Sequence, residues 1–148
     1  MTLNIAFVLL LSPAILQGYI DDFSSRLGIS PPPTLVVTAE PVTNGKRAWI
    51  TQGRPEVITV RKWVVDFIDP YYGLYMTAHE VCHIYLKHHD KTQYSKKDMP
   101  MMQLEADHCA RKFFDGETWW SITVKRYSMR KVTARKLEEA TQIGYPRL

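Results

Sequence analysis

Cysteine is scarce: Cys82 and Cys109 are the two in a chain of 148 residues. A pair is too few for a disulfide framework in a domain of this size, and a stretch that reads as helix surrounds each thiol. A reduced pair, packed as small apolar groups, is therefore the expectation. Long apolar runs are also missing. A bilayer span needs about 20 apolar residues, and the stretch from Met1 to Ile20 is interrupted by Ser12, Pro13, Gln17 and Gly18. There is no internal repeat or low-complexity segment, which excludes solenoid, collagen-like and linker-like chains. A large charge of one sign is absent as well, with 19 Lys+Arg against 15 Asp+Glu. Such a small surplus does not by itself call for a nucleic-acid partner.

What is present is ordinary for a globular domain: 45% hydrophobic and 23% charged residues. The length suits one domain with one core. Where the charge lies is more telling than its sum. Residues 1–120 carry 12 basic and 13 acidic side chains, whereas 121–148 carry seven basic (Lys125, Arg126, Arg130, Lys131, Arg135, Lys136, Arg147) and two acidic (Glu138, Glu139). A basic helical end of that kind reads as a solvated face, with nucleic acid, an anionic membrane or an acidic protein as the alternative partners.

Residues 1–11 are nearly all apolar but lack the early Lys or Arg and the small-x-small site of a secretory signal. They read as an apolar extension to a single domain over 12–148. A cytoplasmic location is the favoured expectation, and a secreted or membrane-attached protein is the alternative. Ser12 can cap a helix over 13–27, Pro13 suits its first turn, and Ile15, Leu16, Tyr19, Ile20, Phe23 and Leu27 share one face. Gly28 and Pro31-Pro32-Pro33 end it. Three short strands follow: Thr34–Thr38, Arg47–Thr51 after the Asn44-Gly45 turn signal, and Val57–Val60 after Gly53-Arg54-Pro55. Short turns between them suggest a meander. Arg61–Phe67 reads as a short helix stopped at Asp69-Pro70.

The segment 76–89 reads as a helix and contains His79-Glu80-Val81-Cys82-His83, an HExxH motif. Two histidines four apart lie on one helix face, so both imidazoles can reach one cation. Glu80 sits about 100° round the helix, placed to address a water on that cation. Imidazole donors point to one zinc ion, Glu80 to a general base, and the pair to peptide-bond hydrolysis. Zinc needs a third protein ligand, and the helix over 101–114 supplies candidates. Gln103 and Asp107 are four apart on one face, while Glu105 points about 200° away from Gln103.

The segments HEVCHIYLKHH and QLEADHCARKFF resemble the gluzincin metallopeptidases: the HtpX and CAAX-prenyl-protease type, the minigluzincins and the ImmA/IrrE-type peptidases. The resemblance spans roughly residues 31–114 and includes His88 at the end of HExxHxxxxH. It implies an α+β, zincin-like domain in which a short antiparallel or mixed sheet packs on the HExxH helix and a following Glu-Ala-Asp helix. It implies metal ligation by His79 and His83, catalysis by Glu80, and a supporting role for Asp107 beside a ligand histidine. Gln103 stands where such families carry a ligand Glu. The third ligand is then Gln103 itself, Asp107 turned inward, or Glu105 from an irregular helix, and Asp107 is preferred as charged and on the right face.

His88 and His89 read as solvent-facing residues at a helix end. His108 and Tyr127 are candidates to polarise a substrate carbonyl. Tyr71, Tyr72, Tyr75, Trp119 and Trp120 read as core and rim packing, and 87–100 as a polar loop between the site helices. Two further helices are expected over Thr118–Tyr127 and Thr133–Ile143. The sequence thus predicts a zinc metalloendopeptidase acting on a protein or peptide. A metal-stabilised, catalytically inactive binding module that uses the basic C-terminal part is the alternative.

Overall fold

A computed structural model of the chain describes residues 12–39, 48–67, 70–90 and 92–124. The apolar extension, the Asn44-Gly45 turn, Tyr127 and the basic segment from Lys125 onward lie outside the described residues. What is described is an α+β domain with a three-stranded mixed sheet.

Helix α1 (Pro13–Leu27) begins where its signals stand. The Ser12 hydroxyl accepts from the Ile15 amide at 3.2 Å, Pro13 opens the first turn, and Gly28 closes the helix at φ 71°, a left-handed geometry suited to glycine. Leu16, Ile20 and Phe23 are buried along one stripe. Strands β1 (Thr34–Thr38), β2 (Ala48–Thr51) and β3 (Val57–Arg61) follow.

The expected meander is not what forms. The order is β1-β3-β2, with β1 parallel to β3 and β2 antiparallel to it. The reason lies in β3. Ile58 and Val60 on one face and Thr59 and Arg61 on the other are all buried, as befits a central strand covered on both sides. The Arg61 guanidinium stacks over the Trp49 ring at 4.9 Å, which satisfies part of its cost of burial. Gly53 makes the tight β2–β3 connection possible, because a Cβ there would meet the Pro55 carbonyl oxygen at 2.9 Å. The outer edge of β1 is met at its N-terminal end by a side chain. Gln17 of α1 accepts from the Leu35 amide at 2.7 Å and donates to the Pro33 carbonyl at 2.9 Å, doing what a neighbouring strand would do.

Helix α2 (Lys62–Phe67) turns the chain off the sheet, and α3 (Pro70–Tyr85) starts at the proline expected to stop α2. A short 3₁₀ turn (Lys96–Asp98), capped by Ser95, leads into α4 (Met99–Arg111). Residues 116–124 are helical, as expected for the first part of Thr118–Tyr127. Met76, Ala78, Val81 and Ile84 of α3 and Ala106 and Ala110 of α4 complete the core with Leu16, Ile20, Ile58 and Val60. The small alanines let α4 approach α3 closely. Phe23 packs on Phe113 and Phe114 with ring centres 4.7 and 5.8 Å apart, which ties the end of α4 to α1.

Cys82 and Cys109 form a disulfide with their Cα atoms 5.9 Å apart, correcting the expectation of a reduced pair. Both thiols lie on the facing sides of α3 and α4, a juxtaposition created by packing and invisible in their separation along the chain. Among the described residues no helix is long and apolar enough to cross a membrane.

Candidate metal centre

Tyr75, His79 and His83 are spaced four apart and form one stripe on α3. Gln103 and Asp107, also four apart, form the stripe on α4 that meets it. Contacts between the stripes are short and polar. His79 Nδ1 lies 2.8 Å from Asp107 Oδ1, and His79 Nε2 lies 2.8 Å from Gln103 Oε1. The Tyr75 hydroxyl donates to the same Asp107 oxygen and lies 3.3 Å from His79 Nδ1. The Gln103 amide nitrogen sits 3.7 Å from the Met99 sulfur, which leaves its oxygen turned toward His79. His79 Nε2 and His83 Nε2 face each other at 2.9 Å.

A second chain of contacts leaves the other side of His83. Its Nδ1 lies 2.8 Å from His88 Nδ1, and His88 Nε2 lies 2.8 Å from Glu105 Oε2. This overturns the reading of His88 as solvent-facing: it is buried, and its neighbour His89 is half-buried. The cause is the way α3 ends. The helix stops at Tyr85, four residues before the expected end, and Lys87 takes φ 57°. The Lys87 amide then bonds the Ile84 carbonyl and the His88 amide the His83 carbonyl, both at 3.0 Å, which is the Schellman pattern. That reversal swings His88 back under His83, where Tyr94 packs on it edge to face at 5.2 Å.

The preference for Asp107 as the inward ligand meets a different geometry. Its carboxylate faces Nδ1 of His79, the outer nitrogen, and the oxygen nearest Nε2 belongs to Gln103. Glu105 does not share the Gln103 target either, since it faces His88. Glu80 is half-buried beside His79, and its negative charge favours a proton on that ring. His108 is exposed on α4.

Tyr75 and the His88–Glu105 pair are the site residues that sequence reasoning missed or misassigned. Tyr75 had a usable signal, because it stands one helical repeat before His79. His88 matched the end of HExxHxxxxH, but its inward turn was not legible, because the reversal that returns it depends on a lysine in a conformation glycine normally supplies.

Electrostatics divide the two facing histidines. Burial disfavours a charged His79, but the hydrogen bond to Asp107 and the fields of Glu80 and Asp107 outweigh it and hold its pKa above the ordinary 6.5. Burial, reinforced by the charges of His79 and His88, lowers His83 to about 3. The pair therefore takes one proton readily and resists a second.

Among the described residues no group of three or more His, Cys, Asp or Glu side chains is disposed to hold a metal ion. The convergent trio is two imidazoles and an amide. Tetrahedral zinc with nitrogen ligands at 2.0–2.1 Å sets neighbouring donor atoms about 3.3 Å apart. His79 Nε2 lies 2.8 Å from the Gln103 oxygen and 2.9 Å from His83 Nε2, so small side-chain shifts would open the space. The chemistry fits a divalent ion, with the neutral Gln103 oxygen as a weaker third donor than a carboxylate.

Comparison of the chain with models of known protein families, with curated proteins and with solved structures finds no match.

Proposed function

We propose that the protein is a small zincin-like metallopeptidase in which His79, His83 and Gln103 hold one zinc ion and Glu80 is the general base. One observation carries the reading: His79 Nε2 faces both His83 Nε2 and the Gln103 amide oxygen, while Asp107 stands behind the same ring on Nδ1. An ionised carboxylate can only accept, so Asp107 takes the Nδ1–H of His79 and leaves Nε2 with a lone pair in the neutral ring. His83 offers its own Nε2 to the same point. Two lone pairs 2.9 Å apart, with an amide oxygen beside them, repel one another unless a cation or a proton lies between. Burial favours the metal-competent neutral form of His83.

A zinc ion bound there would supply a localised positive charge, polarise a substrate carbonyl and lower the pKa of a water to about 7. The chain's own residues supply the rest. Asp107, steadied by the Tyr75 hydroxyl, keeps the His79 ring turned inward. Glu80 adjoins His79 in sequence and presents a carboxylate that can accept a proton from the attacking water and return it to the leaving amine. The substrate is an extended peptide or unfolded protein segment.

The neutral amide of Gln103 is the specific observation behind a second reading, a metal-stabilised binding module whose partners meet the basic C-terminal segment. One experiment separates the two. Protein purified without chelator is assayed for zinc and for cleavage of an unstructured protein such as casein, beside Glu80→Gln and His79→Ala. The peptidase reading expects near-stoichiometric zinc, loss of cleavage in Glu80→Gln with zinc retained, and loss of zinc in His79→Ala. Zinc without cleavage in the wild-type protein would favour the binding module, and no zinc would overturn both.

A further inference from the structure

The metal reading accounts for the inner side of His83 but not for what lies behind it. Behind His79 stands a carboxylate, Asp107. Behind His83 stands another imidazole, and behind that a second carboxylate, so the support of His83 is one residue longer. We propose that His88 and Glu105 are positioning residues that fix His83 in its Nδ1–H tautomer and so aim a bare Nε2 at the metal position. The inference rests on the reading of His79 and His83 as ligands.

The proton count runs in one direction along the chain. The Glu105 carboxylate has no proton to give, so His88 Nε2 is the donor across their 2.8 Å contact. A neutral His88 then carries no proton on Nδ1, which must accept across the 2.8 Å contact with His83. His83 Nδ1 is therefore the donor, and its Nε2 is left without a hydrogen. The alternative His83 tautomer would place two bare Nδ1 atoms against one another behind the ring and an Nε2–H in the metal position. Burial of both rings makes the mismatch costly, because no solvent is at hand to satisfy either atom. The partners come from two separate places, the reversal after α3 and the far side of α4. Glu105 is the residue two along from Gln103 that points elsewhere on a regular helix, and His88 is what it points at. An acceptor behind a metal-binding histidine fixes its tautomer and ring orientation, and loss of such an outer partner typically costs about 10- to 100-fold in metal affinity.

The test uses the full chain and three variants: Glu105→Gln, His88→Phe and His88→Gln. The Glu105 side chain is 46% exposed, so Glu105→Gln should fold whatever becomes of His88→Phe. The glutamine in His88→Gln offers an amide oxygen to His83 and an amide N–H to Glu105, which reproduces the relay. The tautomer of His83 is read directly, without metal, from imidazole ¹⁵N shifts and long-range ¹H–¹⁵N correlations at pH 7.5. Zinc affinity is read by competition with a chromophoric chelator.

Wild type should show His83 protonated at Nδ1. Glu105→Gln and His88→Phe should shift it toward Nε2–H and weaken zinc binding about 10-fold or more, and His88→Gln should restore both. A wild-type His83 already protonated at Nε2, as a charged His88 donating to it would produce, overturns the proposal. So does an unchanged tautomer and unchanged affinity in Glu105→Gln. Should wild type bind no zinc, the ligand reading fails while the ¹⁵N spectra still decide what His88 and Glu105 do.

Discussion

His83 and His88 are joined twice, once through the main chain and once through their rings. The amide of His88 bonds the carbonyl of His83 at 3.0 Å, and the two Nδ1 atoms lie 2.8 Å apart. The residue that permits both contacts is Lys87, at φ 57°.

An L-residue in that conformation costs about 1–2 kcal/mol, part of which glycine recovers before losing some to its greater unfolded-state entropy. Lys87→Gly should therefore stabilise the metal-free protein by about 0.5–1 kcal/mol, and Lys87→Val should destabilise it. Thermal melting monitored by circular dichroism measures both. A glycine variant that melts lower than wild type would mean that the reversal after α3 is not left-handed.

The Cys82–Cys109 bridge closes a loop with a sequence separation of 27 and links the two helices that carry the site. Closing a loop of that length stabilises a fold by about 3–4 kcal/mol on the chain-entropy account. Reduction, or the double substitution of both cysteines by alanine, should lower the urea midpoint accordingly and weaken zinc binding in parallel. Thiol titration of the native protein before and after reductant checks the premise. Two reactive thiols in untreated protein, with no change in midpoint on reduction, would remove the bridge from consideration.

Gln103→Glu exchanges a neutral oxygen donor for a charged one at the position nearest His79 Nε2. If that oxygen is the third ligand, zinc affinity should rise about 10-fold or more, since a carboxylate is the stronger donor to zinc. Asp107→Asn should instead weaken binding without changing the number of ligands, because it removes the acceptor behind His79. The paired affinities, measured by chelator competition, distinguish the inner oxygen from the outer one. Asp107→Asn losing binding entirely while Gln103→Glu has no effect would reverse the two roles.

Acid should act on the metal-free protein through His83. Its folded pKa, lowered to about 3, lies below the ordinary 6.5 of the unfolded chain. The unfolded ring therefore takes its proton first as pH falls. Stability from this group is complete above 6.5 and drains away between 6.5 and 3, at a limiting slope of roughly 1.4 kcal/mol per pH unit. His79 has the opposite sign: its raised pKa contributes stability below 6.5 that is lost as pH rises through the folded value. Urea unfolding of wild type and His83→Gln at several pH values isolates the first effect, and the gap between them should narrow toward pH 4. A gap that stays constant would show that His83 is not held neutral.

The local signals of the fold were legible and the long-range ones were not. Ser12, Pro13 and Gly28 marked α1 to the residue because capping is a matter of neighbours. The HExxH stripe and the Gln103–Asp107 stripe followed from helical spacing alone. The strand order did not, because the parallel partner of β1 is reached past β2 and nothing in Thr34–Thr38 names it. Cys82 meeting Cys109 and His88 returning to His83 depend on packing and on a turn built without glycine. The choice between Gln103 and Asp107 required knowing which nitrogen of His79 each one faces, which spacing along α4 does not encode.

Gln17 has a consequence beyond the sheet it borders. An uncovered strand margin is where copies of a protein zip together into fibrous assemblies, and here two groups on that margin are already occupied. A leucine at position 17 would bare them, and the molecule's tolerance of crowded, concentrated solution would rest on one amide fewer.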